Sequence, residues 1–109
     1  MAARNKLAIT GGLVIDPAQG DDRVADVLIS NGRIEEVIER SISITYEDYE
    51  QIDAAGLIVS PGFVDLHTHL REPGQEWNET IATGTWAAAR GGFTTICAMP
   101  NTDPVMDSR

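Results

Sequence analysis

The chain has 109 residues and a mass of 11.8 kDa, and 42% of its residues are hydrophobic and 23% charged. This composition is typical of one globular domain and excludes a disordered segment. Eight Lys and Arg residues against seventeen Asp and Glu residues give a formal charge of -9. That charge argues against a broad basic surface for nucleic acid or for anionic membranes.

No segment has the features of an export signal or of a membrane span. Near the amino terminus, Leu7–Thr10 runs directly into Gly11-Gly12, whereas a signal peptide needs a longer apolar stretch. The other apolar runs are shorter than the roughly 20 residues that cross a bilayer. We therefore expect a cytoplasmic protein. Its single cysteine, Cys97, has apolar neighbours, so we expect an inert, buried thiol in a strand.

Residues 1–60 predict a small all-β domain. Asn31-Gly32 separates the apolar stretches Val24–Ser30 and Arg33–Glu39. Because this dipeptide accepts the positive φ angles of a type I′ turn, it predicts a hairpin. The acidic stretch Thr45–Glu50 is interpreted as a solvated loop or sheet edge. Two further breaks between short strands are predicted at Gly11-Gly12 and Ala54-Ala55-Gly56.

The pattern changes at residue 61. Phe63–Leu70 predicts a strand, Asn78–Arg90 a helix with Asn78 as its N-cap, and Phe93–Met99 a second strand. A strand, a helix and a strand within about 40 residues form a βαβ unit with parallel strands. Since the second strand is apolar on both faces, we expect both faces to be covered.

Three polar residues alternate along the first strand of this unit. Asp65, His67 and His69 fall on one face because side chains in a strand alternate with a period of two. Neutral imidazole nitrogens bind zinc and related metals, and a carboxylate can orient or ligate them. The alternative is a pair of ordinary core or surface histidines. Their position near the carboxyl end of a parallel strand, where ligand sites of α/β sheets lie, favours metal.

Two further polar residues follow the predicted strands. The planar guanidinium of Arg71 suits bidentate binding of a substrate carboxylate. Its alternative role is an ion pair with Glu72 or Glu76. Asn101 follows the second strand, and its amide can donate and accept hydrogen bonds toward a polar substrate. Its alternative role is that of a turn residue.

Residues 61–105 resemble the dihydroorotase family almost continuously. The motifs that carry the resemblance are PGFVDLHTHLREPG at residues 61–74, the stretch 79–95, and MPNT at residues 99–102. Related allantoinases and hydantoinases share the Asp-x-His-x-His core, but the LREPG and MPNT segments favour dihydroorotase. The first sixty residues are similar to the N-terminal β-domain of the family only in general pattern.

The resemblance implies an α/β fold in which a small, sandwich-like all-β domain at residues 1–60 precedes a metal-dependent (β/α)8 barrel. Residues 61–109 would be the first βαβ unit of that barrel, truncated. The implied reaction is the reversible, zinc-dependent hydrolysis of dihydroorotate to N-carbamoyl-aspartate in de novo pyrimidine (UMP) biosynthesis. The family resemblance implies one or two zinc ions per full-length subunit.

The roles of individual residues are also implied by the resemblance. His67 and His69 match the family's metal-binding His-x-His pair. Arg71 and Asn101 match the residues that bind the substrate carboxylate, and His69 also lies beside the substrate in the family. Asp65 matches a family aspartate that we assign a supporting role.

The residues at hand do not complete a catalytic zinc site. Such a site needs about three protein ligands plus water, and His67 and His69 are the two histidines of the sequence. In the family, an aspartate from a late barrel strand transfers the proton, and no residue here matches it. A (β/α)8 barrel takes about 250 residues. We therefore expect the N-terminal fragment of a longer dihydroorotase, cut at Arg109 and inactive alone.

Two alternatives stay open. One is a non-catalytic dihydroorotase-like subunit that supports an aspartate transcarbamoylase assembly, although such a subunit has no chemical need for His67, His69 and Arg71. The other is a free-standing, β-rich binding domain with an incidental βαβ tail. The sequence also leaves open whether the subunit forms a homo-oligomer.

Overall fold

The computed structural model describes residues 6–39 and 46–108. The chain divides into two compact units, Met1–Pro61 and Gly62–Arg109, which we call the β unit and the βαβ unit. Thr45 and Arg109, which the sequence interpretation included, lie outside the described residues. Across 6–39 and 46–108, no helical segment combines the length and hydropathy needed to span a bilayer. The elements are β1 (Lys6–Asp16), β2 (Asp21–Ser30), β3 (Arg33–Glu39), β4 (Glu50–Asp53), β5 (Ile58–Val59), β6 (Phe63–Thr68), α1 (Ile81–Arg90) and β7 (Phe93–Ala98).

The β unit contains a five-stranded sheet in the order β3-β2-β1-β4, with β5 also paired to β1. Strand β1 is antiparallel to β2 and parallel to β4 and β5. The predicted hairpin is confirmed, since β2 and β3 are antiparallel and Ser30 pairs with Arg33 beside the turn. Asn31 and Gly32 have φ angles of 50° and 73°, as a type I′ turn requires.

Strand β1 runs without a break through Gly11-Gly12, so the two short strands predicted there are one strand. The register of its pairing with β2 shifts between Ile9 and Gly12, which identifies a bulge. At the bulge, the Gly11 N–H donates to Asp26 Oδ1 at 2.7 Å. The other carboxylate oxygen of Asp26 accepts from the Tyr46 hydroxyl at 2.9 Å. These two bonds satisfy a carboxylate that is only 4% exposed.

The core of the β unit consists of two apolar clusters. Because side chains alternate along β2, Val27 and Leu28 belong to different clusters. Tyr46, which is buried, joins Leu28 in one of them, and Tyr49 packs against that cluster. The prediction of a solvated stretch is therefore wrong at Tyr46, because its ring supplies apolar area to the core. It holds for Glu50, which begins the exposed edge strand β4.

The βαβ unit has two parallel strands, as predicted, and α1 packs against β7. Helix α1 contacts the segment after β6 through Leu70, because a Cβ atom on Gly84 would overlap the Leu70 side chain. Within residues 62–108, Leu70 and Gly84 are the buried positions. The parallel pairing thus gives this unit its shape without a large apolar core.

Strand β7 is less covered than the sequence predicts. Phe93 and Ile96 are half-buried, whereas Cys97 is exposed. Neighbouring side chains in a strand point to opposite faces, so Cys97 lies on the face opposite Ile96. The expectation of a buried thiol is therefore wrong in the part of the chain that the structure describes, where Cys97 is exposed.

The bonds to Asp26 lead to a test of the β unit. Asp26→Ala removes the acceptor of both bonds, one of them from the buried Gly11 N–H, so it should lower the free energy of unfolding by roughly 2–4 kcal/mol. Tyr46→Phe removes one bond and should cost about half as much. Urea unfolding followed by far-UV circular dichroism, which reports the strands and does not depend on the substituted tyrosine, measures both. Equal midpoints for Asp26→Ala and the unaltered chain would contradict the assignment.

Candidate metal and substrate site

The candidate site lies at the carboxyl ends of β6 and β7. The two strands pair in parallel, with Asp65 opposite Ile96 and Thr68 opposite Ala98. Beyond the strands, the Met99 N–H donates to the Thr68 carbonyl at 2.8 Å. The residues that follow each strand therefore leave the sheet at the same edge. Strand β6 ends at Thr68 rather than at the predicted Leu70, so His69 already belongs to the loop.

His67 and His69 lie side by side at this edge. Their ring centroids are 5.2 Å apart with an angle of 61° between the planes. His67 is exposed and His69 half-buried. Asp65 supports the strand at His67, because its Oδ1 accepts from the His67 N–H at 2.9 Å. The two imidazoles thus lie together, although the pairing register of β6 shifts between Asp65 and Thr68, and the aspartate lies against the main chain.

Asn101 contacts His69 directly. The His69 Nδ1 and Asn101 Oδ1 atoms are 2.9 Å apart. Asn101 also lies in a tight turn, since the Thr102 N–H donates to the Pro100 carbonyl at 2.9 Å. Its side chain is therefore oriented toward the histidines by the turn that follows β7. This pairing was not predicted, because the two residues are 32 positions apart in the sequence.

Arg71 follows the two histidines in a loop that forms hydrogen bonds within itself and with the first turn of the helix. The Arg71 carbonyl accepts from the Gln75 N–H at 2.8 Å, and the side chain is half-buried. Both acidic neighbours proposed as ion-pair partners accept from backbone groups. Glu72 Oε2 accepts from the Ile81 N–H at 2.7 Å, and Glu76 Oε1 accepts from the Gly74 N–H at 2.9 Å. That bond from Gly74 holds the pKa of Glu76 below its ordinary value.

The start of α1 differs from the prediction. Its N-cap is Thr80, not Asn78, and Thr80 and Thr83 form a reciprocal capping box. The Asn78 N–H instead donates to the Gln75 carbonyl at 2.9 Å, which places Asn78 in the preceding turn. The Glu72 carboxylate satisfies a further free N–H of the first helical turn and lies at the positive end of the helix dipole. Sequence reasoning missed this role of Glu72, because Glu72 lies nine positions before Ile81 in the sequence.

The loops after β6 and β7 are in close contact. The Asp103 N–H donates to the Pro73 carbonyl at 3.0 Å. Gly74 has a φ angle of 103°, and a Cβ atom there would lie 2.5 Å from the Asp103 carbonyl oxygen. Glycine is therefore required by both the backbone angle and the space.

The donor set fits part of a zinc site. Two adjacent imidazoles supply nitrogen ligands of the kind zinc prefers. Within residues 6–39 and 46–108, no group of three or more His, Cys, Asp and Glu side chains is arranged to hold a metal.

Comparison with known proteins gives the family. Residues 56–109 match the model of a family described as dihydro-orotase-like. A dihydroorotase of Anaeromyxobacter sp. (strain K) is 57% identical over 101 residues, which are 93% of this chain and 23% of the relative. Residues 56–109 of the chain belong to the dihydroorotase-like family. The chain spans about a quarter of the length of the curated dihydroorotases that it matches.

Solved structures of hydrolases resemble the dihydroorotase-like chain. An L-hydantoinase from Arthrobacter aurescens has a TM-score of 0.75 and 27% identity, covering 91% of this chain and 21% of that one. An N-acyl-D-glutamate deacylase from Bordetella bronchiseptica, solved with zinc and a phosphonate inhibitor, has a TM-score of 0.62 and 32% identity. Its match covers 84% of this chain and 18% of that one.

The contact between the two loops can be tested at Gly74. Gly74→Ala adds a Cβ atom against Asp103, so the Asp103 amide should exchange with solvent at least about tenfold faster, equivalent to about 1.4 kcal/mol. Gly92→Ala is the matched control, because Gly92 also has a positive φ of 83° but its Cβ would make an ordinary contact, 3.5 Å from Phe63. Amide exchange measured by NMR compares them. Similar Asp103 exchange in both variants would contradict the proposed crowding.

Proposed function

We propose that the chain is the N-terminal part of a dihydroorotase, a zinc-dependent enzyme that reversibly hydrolyses dihydroorotate to N-carbamoyl-aspartate in cytoplasmic pyrimidine biosynthesis. The observation that carries the proposal is the pair of adjacent imidazoles of His67 and His69 at the end of β6. They lie within the 56–109 segment that matches the dihydroorotase-like family. The βαβ unit would then be the first repeat of a (β/α)8 barrel, whose ligand sites lie at the carboxyl ends of the strands.

Each side chain at the edge has a proposed role. His67 and His69 would hold the zinc, with Asp65 as a support that accepts from the His67 backbone N–H. Zinc, when bound, acts as a Lewis acid and lowers the pKa of the water it coordinates. Arg71 and Asn101 would bind the substrate carboxylate, which keeps the cyclic amide in a fixed orientation. Arg71 also supplies the local positive charge that an anionic substrate needs on a chain of charge -9.

The substrate class is the finer part of the proposal. The curated relatives at 57% and 56% identity are dihydroorotases, whereas the hydantoinase of similar fold is 27% identical. This difference favours dihydroorotate over a hydantoin. A non-catalytic subunit of an aspartate transcarbamoylase assembly is disfavoured, because it would not need the two imidazoles and Arg71.

The chain alone is expected to be inactive. His67 and His69 are the two histidines of the sequence, and a catalytic zinc needs about three protein ligands. The proton transfer to the leaving nitrogen also needs a general acid. We propose that further ligands and this acid come from later parts of a longer protein.

The histidine assignment is tested in the full-length protein. His67→Ala and His69→Ala should each abolish zinc retention and the ring opening of dihydroorotate, because each removes a ligand from a site that needs all of its ligands. Zinc content after gel filtration and the loss of dihydroorotate absorbance measure the two effects. Asn78→Ala, in the turn before α1, serves as the control. Normal zinc content in either histidine variant would refute the assignment.

Arg71→Lys tests the carboxylate clamp. The ammonium of lysine lacks the planar fork of arginine, so KM for dihydroorotate should rise by about tenfold or more while zinc content stays unchanged. Arg90→Lys, at the exposed end of α1, is a matched control that changes the same chemistry elsewhere. An unchanged KM in Arg71→Lys would count against the clamp.

A further inference from the structure

The contact between His69 and Asn101 determines which ring nitrogen of His69 carries the proton. A neutral imidazole has one N–H donor and one lone pair. Asn101 Oδ1 is a carbonyl oxygen and only accepts, so at 2.9 Å the His69 Nδ1 must donate to it. The lone pair of His69 is therefore on Nε2.

The position of that lone pair matters because a metal binds the unprotonated nitrogen. A hydrogen bond at the other ring nitrogen fixes both the tautomer and the orientation of a ligating histidine. Asp65 does not do this for His67, because its carboxylate accepts from the His67 backbone N–H. Among the described residues, the side chain hydrogen-bonded to an imidazole nitrogen is that of Asn101, and the nitrogen is His69 Nδ1.

The backbone holds Asn101 opposite His69. On one side, the Met99 N–H donates to the Thr68 carbonyl at 2.8 Å. On the other side, the Asp103 N–H donates to the Pro73 carbonyl at 3.0 Å. The His69–Asn101 pair thus lies between two main-chain bonds that join the same two segments. The distance between His69 and Asn101 therefore depends on main-chain bonds as well as on the conformations of the two side chains.

We propose that Asn101 is a positioning residue for His69, so that its two amide atoms have separate tasks. Oδ1 accepts from the His69 Nδ1–H and presents Nε2 to the zinc. Nδ2 remains available to donate to the substrate carboxylate. This inference rests on the proposed function, and it adds a contribution of Asn101 to metal affinity that a purely substrate-binding residue does not have.

Two substitutions of Asn101 separate the two tasks in the full-length protein. Asn101→Asp keeps an oxygen acceptor for the Nδ1–H but loses the N–H donor, so zinc affinity should stay within about threefold while KM for dihydroorotate rises. Asn101→Ala loses both atoms, so zinc affinity should fall by about 10- to 100-fold and KM should also rise. Asn78→Ala is the control, because its side chain bonds to Gln75 Oε1 and should change neither quantity.

The readouts include two that do not depend on turnover. Competition with a chromophoric chelator gives the zinc dissociation constant. Long-range nitrogen–proton NMR of the His69 ring in the zinc-free protein gives the tautomer. We expect the Nδ1–H form in the unaltered protein and in Asn101→Asp, and a tautomer mixture in Asn101→Ala. Far-UV circular dichroism establishes that the variants are folded, and Asn101→Asp gives a second comparison if Asn101→Ala is not.

The outcomes distinguish this inference from the function on which it rests. Unchanged zinc affinity and an unchanged tautomer in Asn101→Ala, together with a raised KM, would overturn the positioning role and leave the dihydroorotase proposal intact. A full-length protein that neither retains zinc nor opens dihydroorotate would overturn the proposed function and this inference with it.

Discussion

Parallel pairing of β6 with β7 determines where the candidate functional side chains lie. Because both strands run in the same direction, residues that follow β6 leave the sheet beside residues that follow β7. The bond between Met99 and Thr68 extends this contact beyond the strands. The proximity of His69 to Asn101 is thus a consequence of register. A shift of one residue would turn His67 to the other face of the sheet.

Polar contacts, rather than a large core, organise the loops around the site. Leu70 and Gly84 are the buried positions among residues 62–108, so apolar burial contributes little there. Glu72 instead joins the loop after β6 to the first turn of α1. Arg71 therefore lies between an anchored histidine and an anchored glutamate. In the proposed role of Arg71 as a carboxylate clamp, such fixed neighbours would reduce the motion lost on binding.

The local features of the fold could be predicted from the sequence, whereas contacts between distant residues could not. The Asn31-Gly32 hairpin and the βαβ order follow from turn chemistry and periodicity. The predicted N-cap, Asn78, was wrong because Thr80 forms a reciprocal capping box with Thr83. Cys97 was expected to be buried because its neighbours in the sequence are apolar. Strand composition does not report how much of a strand other residues cover, and Cys97 is exposed. At the site, alternation predicted adjacent histidines, but the Asn101 contact depends on a pairing register that the sequence does not show.

The parallel pairing of β1 with β4 and β5 has a consequence for the order in which the β unit folds. The β2–β3 hairpin joins neighbouring residues through a two-residue turn and can close within microseconds. Leu7 pairs with Glu50, and Leu13 with Ile58, so these contacts must close chain loops of about 40 residues. The hairpin should therefore form first and serve as the template for β1, and β4 and β5 should dock last. The rate at which the whole sheet assembles is then governed by its edge strands and not by its turns.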